Sequence, residues 1–291
     1  MKKLSFVYII LAGILWGTSG IFVHYLETYG FTSLQMTFVR AFVSFTSILI
    51  FALIRKKSVL KVNLRYVPLL VATGVALYFS ASLYFRSIQL TSGATAVVLL
   101  YTSPIYVIIF SVLLLKEKLT KVKVFSLSAM LIGCFLVSGI IGGLKFNAIG
   151  ILLGAFSGLS FATYNIFTKI SLKCGVNALS VTLYCFLFMS IVSSFSLQPK
   201  GFLQCISVSP AVVITLLLAL GVVTSVIPYV LYTIGMKELD AGTVSALSIA
   251  EPASATLFSV IIFSEKLDLF GIIGILLILF AIFVIGKSEK E

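Results

Sequence analysis

Residues 95–119 read TAVVLLYTSPIYVIIFSVLLLKEKL, and residues 243–267 read TVSALSIAEPASATLFSVIIFSEKL. With Pro104 laid on Pro252, the two stretches align 148 positions apart without a gap. The identical pairs are Thr95/Thr243, Leu99/Leu247, Pro104/Pro252, Phe110/Phe258, Ser111/Ser259, Val112/Val260, Glu117/Glu265, Lys118/Lys266 and Leu119/Leu267. Apolar composition alone produces a few matches by chance, but not a proline, then FSV, then EKL in one register. Each stretch exceeds the roughly 20 residues needed to cross a bilayer, and each carries a proline near its middle. The chain is therefore built twice from one unit. One copy also holds a carboxylate beside its proline, Glu251, where the other has Ser103.

The chain is 60% hydrophobic and 10% charged, with a mean hydropathy of +1.20. A soluble domain is about 25% charged, so this composition belongs to a protein that crosses the membrane many times. Ten apolar segments can be drawn, at 5–26, 33–54, 67–90, 94–115, 122–141, 148–170, 178–197, 211–236, 243–263 and 269–286. Each must be helical, because backbone groups left unpaired in hydrocarbon are too costly. The alternating ten-residue strands of a barrel are missing. The expected fold is an all-α membrane protein of ten transmembrane helices. Met1-Lys2-Lys3 and the apolar run behind it resemble a signal peptide, but the run is long and lacks a small-residue cleavage site, which favours an uncleaved first span.

Sixteen lysines and arginines would fall on one side of such a membrane and four (Arg86, Lys145, Lys200, Lys266) on the other, with Arg40 inside the second span. This bias puts both termini in the cytoplasm. It also explains the net charge of +12 without nucleic acid, since no basic run lies outside the membrane loops. The duplication extends further. Leu83-Tyr84 falls on Leu231-Tyr232, and at a smaller offset GILWGTS (13–19) lies over GAFSGLS (154–160), pairing Gly13 with Gly154 and Gly17 with Gly158. Two units, 1–143 and 144–291, then hold five spans each. Five is odd, so the second unit enters the membrane upside down. Inverted repeats of this kind are built into many secondary transporters, with the solute site between them near the midplane.

The G-x-x-W-G at 13–17, the Arg40 of span two, the prolines of spans four and nine and the EKL ends together resemble the EamA-type transporters of the drug/metabolite transporter superfamily. The resemblance covers nearly the whole chain. It implies a central cavity lined by spans one, three, four, six, eight and nine, and a small organic solute such as an amino acid or metabolite, with export the favoured direction.

Glu251 is the first candidate for a solute contact, because a mid-span carboxylate is expensive unless aimed at a cavity or partner. Its roles would be to meet an ammonium group or to couple transport to protons. Arg40 needs a partner or water for the same reason. Trp16 lies deep in span one, away from the interface where Trp usually sits, and with Tyr84, Tyr101, Tyr164, Tyr232 and Ser103 completes the expected site. Pro104 and Pro252 each remove a backbone bond, which would leave the carbonyls of Leu100 and Ser248 unpaired and make these points gating bends. His24 and Arg86 share the level of Arg40 and would either form a cationic vestibule with it or snorkel to the interface. Lys169 is expected to snorkel. The four cysteines show no metal spacing, and one histidine is no metal site. Signatures of catalysis or of nucleotide binding are missing, so the expectation is a non-enzyme without cofactor, driven by an ion gradient. The rival readings are a non-transporting scaffold or sensor subunit and, more weakly, a membrane-embedded enzyme, for which Glu251 lacks a second carboxylate.

Overall fold

The computed structural model describes residues 2–138, 147–197, 199–264 and 269–288. They are helical throughout, with no strand among the described residues. The helices are α1 (Lys2–Gly17), α2 (Ser19–Thr28), α3 (Ser33–Arg55), α4 (Val67–Leu90), α5 (Gly93–Leu100), α6 (Ser103–Leu115), α7 (Lys121–Val137), α8 (Ala148–Lys173), α9 (Ala178–Ser194), α10 (Pro199–Val208), α11 (Pro210–Gly221), α12 (Ile227–Glu238), α13 (Ala241–Leu247), α14 (Ala250–Phe263) and α15 (Leu269–Ser288). Several join almost end to end. Among the described residues, eight continuous stretches are long and apolar enough to cross a bilayer, and α9 is a shorter apolar helix. The chain is a multi-pass, all-helical membrane protein. The unit boundary at 143/144, the glycines at 139–143, Lys145, Glu265-Lys266-Leu267 and Lys290 lie outside the described residues.

Polar side chains start the helices where the sequence supplies them. Thr32 and Gln35 form a reciprocal capping box at α3. Ser92, Thr120, Asn147 and Asn177 accept from first-turn amides of α5, α7, α8 and α9. Such caps satisfy donors that have no partner inside the helix.

The duplication reappears in the backbone. The described residues with positive φ are Gly30 (87°), Lys116 (56°), Gly175 (83°) and Ser264 (56°), and they form two pairs. Gly30 ends α2 as Gly175 ends α8, each with an amide bond back to a carbonyl three residues earlier, Glu27 and Leu172. Lys116 and Ser264 end α6 and α14 at the spacing of the two prolines. The contacts pair up too: α1 packs along α12 and α14, as α8 packs along α4 and on α5 and α6, while α3 meets its own equivalent α9 and α7 meets α15. At the α7–α15 crossing, Gly133 and Gly274 let backbones touch, since a Cβ on either would lie 2.7–2.8 Å from the other's neighbouring atoms, the small-residue contact typical of helices in lipid.

These pairings correct one alignment. Gly13 lies against Ala250, and it is Gly158, not Gly154, that lies against Thr102, the position equivalent to Ala250. Ser5 meets Gly235 as Gly150 meets Ser87. The first helices of the two units therefore correspond 145 positions apart (13 and 158), as Gly30 and Gly175 do. A slip of four residues is one helical turn and keeps the same face inward, so glycine matching alone chose the wrong turn.

Side-chain bonds also group the helix ends. Lys173 reaches the carbonyl of Leu115, Ser180 that of Val59, Tyr184 that of Leu60, and Lys123 pairs with Asp240. Gly235 lies against Ser5, and Gly286 against Phe6. These contacts gather the first and last described helix ends and nearly all the described lysines and arginines at one end, called here the basic end. At the other, Ser87 bonds Gly150, and Gly30 meets Cys205.

Candidate functional site

Two prolines break their helices as the sequence requires. The chain turns at Tyr101–Thr102 before Pro104 and at Ser248–Ile249 before Pro252. The expected orphan at Ser248 does not arise. Its carbonyl accepts from the Glu251 amide at 3.0 Å, because the chain tightens to a three-residue bond where the proline denies the four-residue one. The break also changes the setting of Glu251. It sits in the first turn of α14, a fresh helix N-terminus inside the span, where aligned peptide dipoles favour an anion. Tyr101, at the break of the other unit, lines the same cavity as Glu251.

Both breaks are gripped by glycines of the opposite unit. A Cβ on Gly17 would lie 2.8 Å from the Ala255 nitrogen, and one on Gly158 2.8 Å from the Leu99 carbonyl oxygen. Close backbone approach here fixes each break against the first helix of the other half.

A third in-span proline governs Arg40. Pro228 has no amide to offer the carbonyl four residues before it, that of Thr224, and the helix relaxes into a π turn over Val222–Val226. Arg40 fills the gap. Its Nε donates to Ser225 Oγ at 3.0 Å and its Nη2 to the Thr224 carbonyl at 3.2 Å. Arg40 thus finds its partners in a backbone defect of the other unit, and such π turns recur at functional sites.

These features meet in a cavity of about 620 Å³, within the range of small-molecule pockets. Trp16, Arg40, Tyr84, Tyr101, Ser103 and Glu251 all line it, as does Pro252. Tyr164 and Tyr232 do not. They are buried one layer behind, Tyr232 donating to Asn165 Oδ1 at 2.5 Å and packing 5.0 Å from Trp16, and Tyr164 packing on Phe161 and Tyr229. Pro104 is buried outside the lining. The wall includes residues that sequence reasoning passes over: Tyr229, Phe186, Phe161 and Met189. Tyr229 is central, 4.9 Å from Trp16 and 5.1 Å from Phe186, and the Pro228 before it was the available signal. The lining draws on spans two and seven through Arg40 and Phe186, beyond the six spans the resemblance implied.

The mouth is at the end away from the basic one, where Glu27, Ser33 and Gln89 line the cavity. The vestibule of three cations does not assemble. Arg86 is exposed and bonds Gln89 at 2.9 Å, and His24 packs on Phe263 and Tyr25, while neither lines the cavity. Lys169 does not snorkel either. It is buried and gives its ammonium to the carbonyls of Met236 and Leu239, both at 2.6 Å, because α12 ends there with acceptors that need donors. All four cysteines are free thiols, Cys134 and Cys185 buried as packing residues and Cys174 exposed. No cluster of metal-ligating side chains is present among the described residues.

Comparison with known proteins decides the family. The model of the EamA-like transporter family matches residues 3–139 and again 148–287. The chain belongs to the EamA-like transporter family. A relative from Archaeoglobus fulgidus, named an uncharacterized transporter, is 30% identical over 96% of this chain and 95% of its own. The uncharacterized transporter YwfM of Bacillus subtilis is 23% identical over 98% and 94%. A solved crystal structure superposes over the full length of both chains with a TM-score of 0.80 at 21% identity, a likeness of fold. The chain is a membrane transporter, and the paired family match is the duplication already visible in its helix ends.

Proposed function

We propose that this transporter is a secondary carrier that moves a small organic solute across the cytoplasmic membrane by alternating access. Its ten crossings form two inverted five-span repeats, 1–143 and 144–291, with the basic end and both termini in the cytoplasm. The observation that carries the reading is the cavity, which opens at one end and stops at Glu251 beside a proline break. Inverted repeats with broken helices at mid-depth are the architecture of alternating access, and the pairing of helix ends supports an inverted arrangement. The prolines Pro104 and Pro252 are the bending points.

The solute meets a few placed polar groups in an aromatic wall. Glu251, with Tyr101 in the same wall, takes an ammonium or a proton, and Arg40 offers its remaining guanidinium donors to an anionic group. Trp16, Tyr84 and Tyr229 flank it, Ser103 lies at the floor, and Tyr164 and Tyr232 brace the wall from behind. That combination suits amino acids and related metabolites. Family likeness favours export.

Counterflow into liposomes holding the purified protein, with a panel of amino acids and small metabolites, tests the reading. Flux of at least one solute is expected, and none across a broad panel from folded protein would return it to a non-transporting role. Glu251→Gln should abolish the pH dependence of that flux if Glu251 carries the proton. A pH profile unchanged by the substitution removes it from that role.

A further inference from the structure

We infer that Glu117, Lys123, Asp240 and Lys169 form a latch that holds the basic end shut, and that its release turns the cavity to face the other side. The inference rests on the transport reading above and adds the part that controls the turn. Equivalent half-helices differ in burial within one molecule. All ten residues from Ala241 to Ala250, spanning α13, are buried, whereas its counterpart α5 is mostly half-buried and places Val97 and Leu100 on the cavity. One half of the pair faces the cavity and the other plugs the way past Glu251 to the basic end. A carrier that exchanges the roles of its repeats must free α13.

Three elements hold that plug at a single turn, residues 236–242. Glu117, brought round by the left-handed turn at Lys116, accepts from the amides of Ala241 at 3.0 Å and Gly242 at 3.4 Å, the first residues of α13. Lys123 of α7 meets Asp240 at 2.5 Å, which leaves Asp240 without a side-chain bond to its own helix. Lys169 of α8 closes the two carbonyls at the end of α12. Each bond crosses from one element to another, so each must break or re-form when α13 moves. Lys169 is the deepest of them, since Asp240 is 44% exposed and exposed ion pairs contribute little. A buried ammonium cut off from its carbonyls is the greater cost.

The other end is built differently. The positions equivalent to Asp240, Lys123 and Lys169 hold Ser92, Gly271 and His24. Ser92 caps its own helix at Thr95, and His24 packs on rings. Three of the four latch residues therefore lack a charged counterpart, while the equivalent of Glu117, Glu265, lies outside the described residues. The Lys123–Asp240 pair and Lys169 bias the empty carrier toward the state seen here, open at the other end.

Ser245 on α13 reports the opening. It is fully buried, and its hydroxyl has no hydrogen-bond partner, so Ser245→Cys sacrifices no hydrogen bond. With Cys134, Cys185 and Cys205 replaced and Cys174 kept as the marker of the basic face, an impermeant maleimide applied to that face should label Cys174 quickly and position 245 slowly. Asp240→Lys, which sets like charges together, and separately Lys169→Met should each speed labelling at 245 about fivefold or more, the size of ordinary conformational coupling. The reversed pair Lys123→Asp/Asp240→Lys should return the rate toward the starting value. Unchanged rates in both variants overturn the latch. So does faster labelling from both faces, which reports unfolding, or failure of the reversed pair to restore. Labelling needs no solute, so a failed flux panel and a failed latch are told apart.

Discussion

Gly17 and Gly158 touch backbone atoms of the opposite unit, and a backbone cannot swing aside as a side-chain tip can. Alanine at either should cost about 1–3 kcal/mol through overpacking, read as a lowered unfolding temperature in detergent. Gly20, three residues from Gly17, has nothing within 4 Å of the point where a Cβ would stand, and Gly20→Ala should leave stability equal or raise it by up to about 1 kcal/mol. Equal losses at all three would remove the grip on the breaks. At this scale the sequence exposes whatever is expensive in lipid. Glu251, Arg40 and a deep Trp16 were legible because each must face a cavity or a partner. Tyr164 and Tyr232 were not separable from Tyr84 and Tyr101, since an aromatic ring is equally at home in a wall or behind it. The partners of Arg40 were hidden 184 and 185 residues away, although Pro228 announces the carbonyl that needs a donor.

Helices here end by rule and are broken by proline. Lys116 and Ser264 take the left-handed conformation at which a residue with a Cβ is disfavoured by about 1–2 kcal/mol. Lys116→Gly and Ser264→Gly should each stabilise by about 1 kcal/mol in a thermal melt, and a loss at both would mean that the two turns carry side-chain contacts worth more than the strain. The prolines predicted the breaks correctly, because a missing amide is a property of the residue. Where the freed carbonyl goes is not. Ser248 is satisfied by its own chain and Thr224 by Arg40, a choice made by what lies alongside. The break also recasts Glu251 from a charge stranded in mid-helix to one seated at a helix start.

Across the whole molecule, the bonds between helix ends separate a basic end from a nearly neutral one. Cys174, exposed at the basic end, should react with an impermeant maleimide only from the cytoplasmic face when the other three cysteines are replaced. Labelling from the outer face alone would reverse the proposed orientation. The uneven burial of α5 and α13 is likewise a property of the assembled pair, since both belong to copies of one sequence unit.

The sequence by itself determined the all-helical membrane class, the duplication, the proline breaks and the polar residues that a bilayer will not tolerate idle. Those follow from local chemistry: hydrocarbon demands paired backbone, proline withholds an amide, and a charge needs company. The tertiary structure decided the register of the first helices, which aromatic rings face the cavity, what Arg40 and Lys169 hold, and which end is shut. Each of these depends on which surface of one unit meets which surface of the other. Copies of one unit can share a helix pattern and still differ in burial once packed together.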